Sequence, residues 1–381
     1  MVKPKAVYIH IPFCSHKCHY CDFTAYVVEG QPVDQYLMAL AKEMEISTKE
    51  TPPAEIESIF VGGGTPTILT PTQMATFLES IRRYFPNWSP NMEFTMEANP
   101  GTVSRELLEV MKKGGVNRLS FGAQTFREDL LKRIGRIHDA SEIEQSIYLA
   151  REVGFENLSL DLMFGLPTQT VEDIHQAIER ALTLKPDHFS CYSLKVEEGT
   201  LFHHLYERDQ LPLPSEDVEF AMYQEIRKIL PAYGYLQYEV SNFAKLGKES
   251  VHNSTYWKND RYYGLGAGAH GYVGTRRHSN LKGITPYIER LDKNELPIQD
   301  QYDVDVFEEQ ENFMMLGLRL MEGISPQKFQ KRFGVSVTDV YAEEMKKLVN
   351  LGLLKVTENR IFLTEQGLIY GNEVFAEFLR S

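Results

Sequence analysis

The stretch HIPFCSHKCHYCDF, residues 10–23, holds three of the chain's four cysteines within eight positions. Three residues separate Cys14 from Cys18, and two separate Cys18 from Cys21. The remaining cysteine, Cys191, lies 170 residues beyond Cys21 in an apolar run, which favours a buried core thiol. The short stretch therefore offers three converging thiolates without a fourth cysteine beside them.

Three closely spaced thiolates can each bind a separate iron of a [4Fe–4S] cluster, which leaves the fourth iron for a small molecule. A structural zinc site instead requires four closed ligands. A zinc knuckle here would have to be completed by His10, His16 or His19. A redox thiol group is the other alternative, and the spacing favours the cluster over both.

Six short apolar or β-branched runs recur through the first half of the chain and predict strands. They are AVYIHIP (6–12), SIFVGG (58–63), EFTMEAN (93–99), RLSFGAQ (118–124), LSLDLMFG (158–165) and HFSCYSL (188–194). Helical patterns lie between them at 33–47, 70–85, 104–114 and 170–184, and Ser104 and Gly114 are the expected caps of the third. This alternation predicts an α/β fold with parallel strands, either a doubly wound sheet or a barrel, with ligands at the carboxyl ends of the strands.

Composition and charge narrow the class of protein. The 381 residues carry a formal net charge of −13, which disfavours nucleic acid as a partner. No apolar run approaches the ~20 residues that span a bilayer, and the first residues do not resemble a secretory signal. We therefore expect a cytoplasmic protein, and in that reducing compartment clustered cysteines are more often metal ligands or redox groups than disulfides.

The cysteine spacing resembles the signature of the radical S-adenosylmethionine (SAM) superfamily. Other stretches match blocks of that family in order: GGGTPT (62–67), MEANPGT (96–102), FGAQTF (121–126), IGRIHDA (134–140) and DLMFGLP (161–167). The resemblance implies an incomplete (β/α)6 radical-SAM-type barrel in which Cys14, Cys18 and Cys21 bind a [4Fe–4S] cluster. The resemblance also implies that SAM chelates the fourth iron. The reduced cluster would then pass one electron to the sulfonium of SAM, which releases a 5′-deoxyadenosyl radical.

The same resemblance assigns further residues to SAM binding. It implies that the glycine turn receives the amino acid end of SAM, that Tyr20 lies against the adenine, and that Glu97 accepts bonds from the ammonium or the ribose. It also implies that Arg136 pairs with a carboxylate and that Asp161 bonds the ribose hydroxyls. The full set is Tyr8, Tyr20, Gly63, Gly64, Thr65, Glu97, Gln124, Arg136 and Asp161.

The whole chain, from Tyr8 to its last helix, resembles the group that contains oxygen-independent coproporphyrinogen III oxidase (HemN) and the haem chaperones (HemW). Two features separate it from the oxidase: Phe23 stands where the oxidase has a further cysteine, and Cys14 comes too early for the oxidase's longer amino-terminal arm. HNSTYW (252–257) matches the HNxxYW motif typical of the chaperones. This motif makes His252 a candidate ligand of haem iron; the alternative is a histidine bonded to backbone within a packed loop. His270, in GAGAHG (266–271), is a second candidate haem ligand.

Changes of pattern divide the chain into three parts. Residues 1–240 are expected to form the radical SAM core barrel, and residues 241–299 to form ordered loops that carry the HNSTYW motif. Residues 300–381 are expected to form a winged-helix-like domain of three helices and a hairpin around Glu358 and Asn359. This last part holds 14 acidic and 9 basic side chains, a net charge of −5 that opposes DNA binding, so we expect a lid or a partner-docking module.

Two functions follow as hypotheses from this resemblance. The leading one is a haem chaperone that carries the cluster with an exchangeable SAM and transfers haem to an acceptor protein of unknown identity. The acceptor could be membrane-associated, although this chain has no membrane segment. The rival is a coproporphyrinogen III oxidase, so whether the chain is an enzyme stays open. A DNA-binding regulator is a third class, and the charge opposes it.

Overall fold

The computed structural model describes residues 3–380. Its strands are β1 (Ala6–Ile11), β2 (Phe13–Cys14), β3 (Tyr26–Val27), β4 (Ile56–Gly63), β5 (Trp88–Ala98), β6 (Arg118–Gln124), β7 (Leu158–Phe164), β8 (His188–Ser193), β9 (Leu236–Glu239), β10 (Asn242–Ala244), β11 (Tyr262–Leu265), β12 (His270–Val273), β13 (Arg276–Asn280), β14 (Ile298–Asp303), β15 (Leu354–Val356) and β16 (Ile361–Leu363). Its helices are α1 (Val33–Glu50), α2 (Pro71–Tyr84), α3 (Arg105–Lys113), α4 (Glu128–Arg133), α5 (Ala140–Val153), α6 (Val171–Thr183), α7 (Leu201–Tyr206), α8 (Glu216–Ala232), α9 (Val251–Trp257), α10 (Ile284–Asp292), α11 (Val306–Gly317), α12 (Pro326–Phe333), α13 (Val337–Val340), α14 (Ala342–Asn350), α15 (Glu365–Ile369) and α16 (Gly371–Ala376).

Six parallel strands form the centre of the sheet, in the order β1, β4, β5, β6, β7 and β8. Each overlaps one of the six predicted runs, because apolar strands buried on both faces leave a clear signal in the sequence. Within the described residues β1 and β8 do not pair with each other; β11 pairs with β1 and β10 with β8. The prediction of an α/β fold built as an incomplete (β/α)6 barrel is confirmed.

The helices that cover the barrel begin and end where local side chains satisfy the backbone. The hydroxyl of Ser104 accepts from the backbone N–H of Leu107 at the start of α3, and Gly114 ends that helix, as predicted. Helices α2, α5 and α6 begin with capping boxes at Thr70, Asp139 and Thr170. These caps fix the lengths of the crossovers and hence the positions at which the strands re-enter the barrel.

The segment 241–299 differs from our expectation of ordered loops. It contains β10 to β13, α9 and α10, and β14 begins at its end. Strand β11 lies parallel to β1, pairing Tyr262 with Ala6, and β12 to β14 continue the same sheet in antiparallel order. These strands have no recognisable period because they are three to six residues long and rich in Gly and polar residues; β13 reads RRHSN.

The carboxyl-terminal helices and the β15–β16 hairpin enclose a hydrophobic core of their own. It contains Phe313, Phe329, Tyr341 and Phe378 among other side chains. The hairpin turns between Val356 and Ile361, as predicted. We call residues 306–380 the C-terminal unit, and it contacts the barrel through a bridge between β9 and residue 320 and an ion pair between Arg227 and Glu365. The boundaries of the three parts stay predictions.

Candidate functional site

A cavity of about 510 Å³ opens at the carboxyl ends of the parallel strands, and we call it the rim cavity. Such a position is where ligands bind in parallel α/β folds, because the strand ends and their loops converge there. Eleven of the fourteen residues predicted from the sequence line it: Cys14, Cys18, Tyr20, Cys21, Gly63, Gly64, Thr65, Glu97, Gln124, Arg136 and Asp161. The other three, Tyr8, His252 and His270, do not.

The cysteine loop follows β1 and is held against the end of α4 by its own histidines. A ring nitrogen of His16 lies 2.7 Å from the carbonyl oxygen of Gly135, and one of His19 lies 2.9 Å from that of Arg133. His10 bonds the carbonyl oxygen of Thr24 and the hydroxyl of Tyr8. Each histidine that could complete a zinc site is thus engaged in backbone bonding, whereas all three sulfurs face the rim cavity. This donor set fits a cluster with three protein ligands better than a closed zinc site.

A chain of hydrogen bonds joins the first cysteine to the far wall of the cavity. The hydroxyl of Thr65 donates to the sulfur of Cys14, and the side-chain amide of Asn99 donates to Thr65. The guanidinium of Arg136 donates to Asn99 over 2.7 Å and to the hydroxyl of Tyr20 over 2.9 Å. The Nε of Arg136 is buried and has no partner among residues 3–380, so a carboxylate arriving in the cavity would find an unused donor.

The GGG turn at the end of β4 brings the backbone close to both the cysteine loop and β5. Gly63 has a positive φ of 104°, which favours glycine, and a Cβ there would overlap the ring of His10. Its backbone N–H donates to a carboxylate oxygen of Glu97 over 3.1 Å. A Cβ on Gly64 would collide with the backbone of Phe13. The turn can therefore pack this closely against the end of β1 and the cysteine loop only as long as these positions lack side chains.

Two carboxyl groups stand on neighbouring sides of the rim cavity. Burial, together with the negative charge of Asp161, raises the pKa of Glu97 to about 7. Burial also raises the pKa of Asp161, although the hydroxyl of Ser120 donates to it over 3.1 Å. Asp161 lies in the middle of β7 and not at its end, so it reaches into the barrel interior. A cationic ligand would relieve the cost of ionising these groups, and SAM carries a sulfonium and an ammonium.

Several lining residues escaped the sequence analysis. Asn99, Ser120, Ser190 and Asn253 line the rim cavity together with Arg118. Ser120 and Ser190 are each the third residue of their strands, β6 and β8, and their inward direction could have been found from the alternation along those strands. Asn253 belongs to the HNSTYW motif, but nothing in the local sequence places it at this cavity, because it arrives from α9, 89 residues beyond the end of β7.

Polar side chains from five barrel strands lie at the bottom of the cavity and beneath it. They are Ser58, Glu93, Arg118, Ser159 and His188, all buried. Arg118 and Glu93 approach within 4.0 Å, and Ser159 lies 2.8 Å from a ring nitrogen of His188. This layer forms the floor of the barrel.

Helix α9, which carries the HNSTYW motif, closes the floor from below. The carboxylate of Glu93 accepts from the backbone N–H groups of Val251 and His252 over 3.0 and 3.1 Å, and from the hydroxyl of Ser250. A carboxylate at this place also offsets the positive end of the helix. The motif is therefore fixed to the barrel by a buried ionic cap.

His252 itself is fully buried in this arrangement. One ring nitrogen lies 3.0 Å from the hydroxyl of Ser58 and the other 2.8 Å from that of Tyr256, and the ring stacks on Phe60. Burial lowers its pKa to about 3. Neither nitrogen is free for a metal, so this packing does not favour the expectation that His252 binds haem iron. His270 is exposed at the start of β12, and Tyr8 lies behind the cavity with its hydroxyl on His10.

Family models match two parts of the chain. Residues 8–181 match the model of the radical SAM superfamily, and residues 308–370 match that of the HemN C-terminal domain. The first range spans the cysteine loop and the barrel strands up to β7, and the second lies within the C-terminal unit. Both matches agree with the resemblance that the cysteine spacing and the order of motifs indicated.

Curated relatives cover the chain from end to end. It is 46% identical to the heme chaperone HemW of Bacillus subtilis, over 98% of this chain and 99% of that protein. It is 40% identical to HemW of Lactococcus lactis over 99% and 98%, and 35% identical to HemW of Escherichia coli over the full length of both. Among solved structures, coproporphyrinogen III oxidase (HemN) of Escherichia coli matches with a TM-score of 0.87 and 25% identity, over 99% of this chain and 90% of that one.

Proposed function

The chain belongs to the HemW family within the radical SAM superfamily, and from this premise we propose that it binds haem and passes it to an acceptor protein. The observation that carries the proposal is the full-length identity to several proteins named as haem chaperones. Phe23 in the cysteine loop supports the same choice, because it departs from the pattern that we associate with the oxidase.

Cys14, Cys18 and Cys21 are proposed to hold a [4Fe–4S] cluster, which when bound supplies an exchangeable iron site and one-electron chemistry. The turn of Gly63 and Gly64 offers backbone groups to the amino acid end of SAM, and Arg136 offers its unused Nε to the carboxylate. Other groups suited to SAM are Tyr20, Thr65, Glu97, Gln124 and Asp161 along the rim cavity, with Tyr8 behind it. We propose that SAM exchanges through the open rim.

Haem is proposed as the ligand that is carried, and a second protein as its acceptor. If a histidine binds the haem iron, His270 is the more accessible candidate. His252 would first have to break its hydrogen bonds to Ser58 and Tyr256. No helix among the residues that the structure describes is long and apolar enough to cross a membrane. A membrane-associated acceptor and a cytoplasmic location remain part of the proposal.

An oxidase acting on coproporphyrinogen III is the second candidate. The likeness of the fold to HemN over nearly the whole chain favours it. The oxidase function requires that SAM is cleaved while coproporphyrinogen is consumed. The chaperone function requires neither the cleavage of SAM nor the consumption of coproporphyrinogen.

One anaerobic experiment separates the two functions. Cluster-loaded protein is incubated with SAM and a reductant, with coproporphyrinogen III in one arm and with haem plus an apo-haemoprotein in the other. We expect haem to appear in the apo-haemoprotein faster than without our protein, with no loss of coproporphyrinogen. Consumption of coproporphyrinogen coupled to 5′-deoxyadenosine would support the oxidase, and absence of any haem binding would overturn the chaperone proposal.

A further inference from the structure

A second cavity, of about 350 Å³, lies between α9 and the C-terminal unit, and we call it the interdomain cavity. It shares no lining residue with the rim cavity. Its wall is built from the end of α9, from α11 and α12, from the turn after α11 and from the hairpin loop. Its lining includes Trp257, Lys258, Phe313, Lys328 and Arg360.

The interdomain cavity is basic in an acidic protein. Four basic side chains line it against two acidic ones: Lys258, Lys328, Arg332 and Arg360 against Asp260 and Glu322. The carboxylate of Glu309 pairs with Arg332 and also with Arg261, over 2.7 Å in each case. Because this one carboxylate is shared by two arginines, it does not remove the excess of two positive charges among the lining residues. Residues 300–381 as a whole carry a net charge of −5. The local reversal of sign indicates an anionic ligand.

The charges of three of these residues are not balanced by neighbours. Within residues 3–380 no carboxylate lies within ion-pair distance of the Nζ of Lys258 or of Lys328. Arg360 donates to the backbone carbonyl oxygens of Glu322 and Met321, over 2.6 and 3.1 Å, which leaves its charge uncompensated. These cations are free to pair with anionic groups that enter from solvent.

Aromatic side chains form the apolar part of the wall. The indole Nε1 of Trp257 is buried and donates to no acceptor in the described part of the chain, although a buried Trp N–H usually has a partner. The guanidinium of Arg319 lies 4.5 Å from the centre of that ring. Phe313 lines the same cavity. A flat ring system could contact these side chains while its charged edge reaches the lysines.

We propose that the interdomain cavity binds a flat apolar ligand with two carboxylates, and that in the proposed function, on which this step rests, the ligand is haem held by its propionates. Lys258, Lys328 and Arg360 pair with the carboxylates, and Trp257 and Phe313 contact the ring. Among residues 3–380 no His, Cys or Met lines the cavity, so recognition is of the porphyrin and not of its iron. A cavity of this size encloses only one edge of a tetrapyrrole, which leaves the rest open to an acceptor.

The test is a binding titration on the full-length protein with three probes: haem, zinc protoporphyrin IX and the dimethyl ester of haem. The variant is Lys258→Glu with Lys328→Glu. Its control is Lys346→Glu with Lys355→Glu, which changes the net charge equally at exposed lysines outside the cavity. We expect the first pair to weaken haem and zinc protoporphyrin IX roughly tenfold or more, and the control pair to change binding little. The ester should bind weakly to every form, independently of these lysines.

Trp257→Leu is a second variant, and thermal unfolding checks that each variant is folded. If both double-lysine variants lose haem affinity equally, the lysines act through general electrostatic attraction, and the proposal is overturned. Unchanged haem affinity in the Lys258→Glu, Lys328→Glu variant, or a histidine-type haem spectrum abolished by His270→Ala, would also overturn it while leaving the haem chaperone function intact. If haem does not bind but zinc protoporphyrin IX does and depends on the lysines, the site stands and the chaperone function fails.

Discussion

The side-chain amide of Asn99 donates to the hydroxyl of Thr65 over 2.7 Å, and that hydroxyl points in turn to the sulfur of Cys14. Arg136 fixes Asn99 from the other side and also holds Tyr20. The position of one proposed cluster ligand is therefore linked to the group that we expect to receive the carboxylate of SAM. A change at either end of this chain of bonds should be measurable at the other.

Thr65→Val removes the hydroxyl that donates to Cys14 while keeping the shape of the side chain. Because hydrogen bonds to the sulfurs raise the reduction potential of a cluster, we expect a lower potential in this variant. Redox titration of the reconstituted protein measures it, and Thr65→Ser, which keeps the hydroxyl, is the control. Equal potentials in Thr65→Val and the unaltered protein, at equal iron content, would show that the bond does not act on the cluster.

Replacing Cys14, Cys18 or Cys21 singly by Ala should abolish the stable cluster, because two thiolates cannot hold it. Iron and sulfide content and the visible absorption after anaerobic reconstitution measure the loss. Cys191→Ala is the matched control, since Cys191 is buried in β8 and does not line the rim cavity. A single-cysteine variant that retains four irons would contradict the assignment.

The affinity for SAM should depend on pH through Glu97. The pKa of this group is about 7, so it is mostly neutral at lower pH and mostly ionised above, and only the ionised form attracts a cationic ligand. We expect affinity to rise with pH, by up to about tenfold per unit below pH 7, and then to level off. Calorimetry across this range measures it. Glu97→Gln should bind weakly with no such slope, and Glu45→Gln, an exposed change on α1, should keep it.

Glu43 joins α1 to the strands beyond β11. Its carboxylate accepts from the amide of Asn280, the hydroxyl of Tyr287 and the backbone N–H of Gly266. Glu43→Ala leaves these buried donors without a partner, which should lower the free energy of unfolding by about 3 kcal/mol or more. Denaturant unfolding measures this, and Glu45→Ala on the exposed face of the same helix should change little. A small effect of Glu43→Ala would mean that water replaces the carboxylate.

His252→Phe should destabilise the protein more at neutral than at acidic pH. The pKa of His252 is about 3 in the folded chain and near 6.5 when unfolded, so the stability due to the neutral ring is present above pH 6.5 and is lost as the pH falls towards 3. At pH 7 the variant also loses bonds to Ser58 and Tyr256, at a cost of about 1–3 kcal/mol.

Denaturant unfolding of this variant at several pH values measures the difference from the unaltered protein. His204→Phe, at an exposed histidine of α7, should give a difference that does not change with pH in this way. If folded His252→Phe loses haem binding while its stability is unchanged, the ring acts as an iron ligand and not as a packed core residue.

The barrel and most of the rim cavity could be predicted from the sequence, because their signals are local. RLSFGAQ is an apolar run of the right length, and it is β6 to the residue. The cysteine loop and the glycine turn follow directly on β1 and β4, so placing the strands also places these groups at one rim. The caps of α3, Ser104 and Gly114, could likewise be predicted from the local sequence.

The remainder depends on contacts between distant parts of the chain. The strands of 241–299 have little propensity of their own and form because β1 offers an edge for β11. His252 was considered a candidate haem ligand because of its motif, yet Ser58 and Glu93, from strands far away in sequence, bond its ring and its backbone in the core. Asn253 reaches the rim cavity for the same reason.

The ionic cap between Glu93 and α9 has a consequence for the order of events in the barrel. Because α9 covers the floor, we expect molecules to enter and leave the interior through the rim. Whatever sits deepest, beside Arg118 and Ser190, must arrive before the molecule above it and depart after it. The molecule that enters last should therefore leave first. A ligand bound tightly near the cysteines would then limit the exchange rate of any molecule bound beneath it.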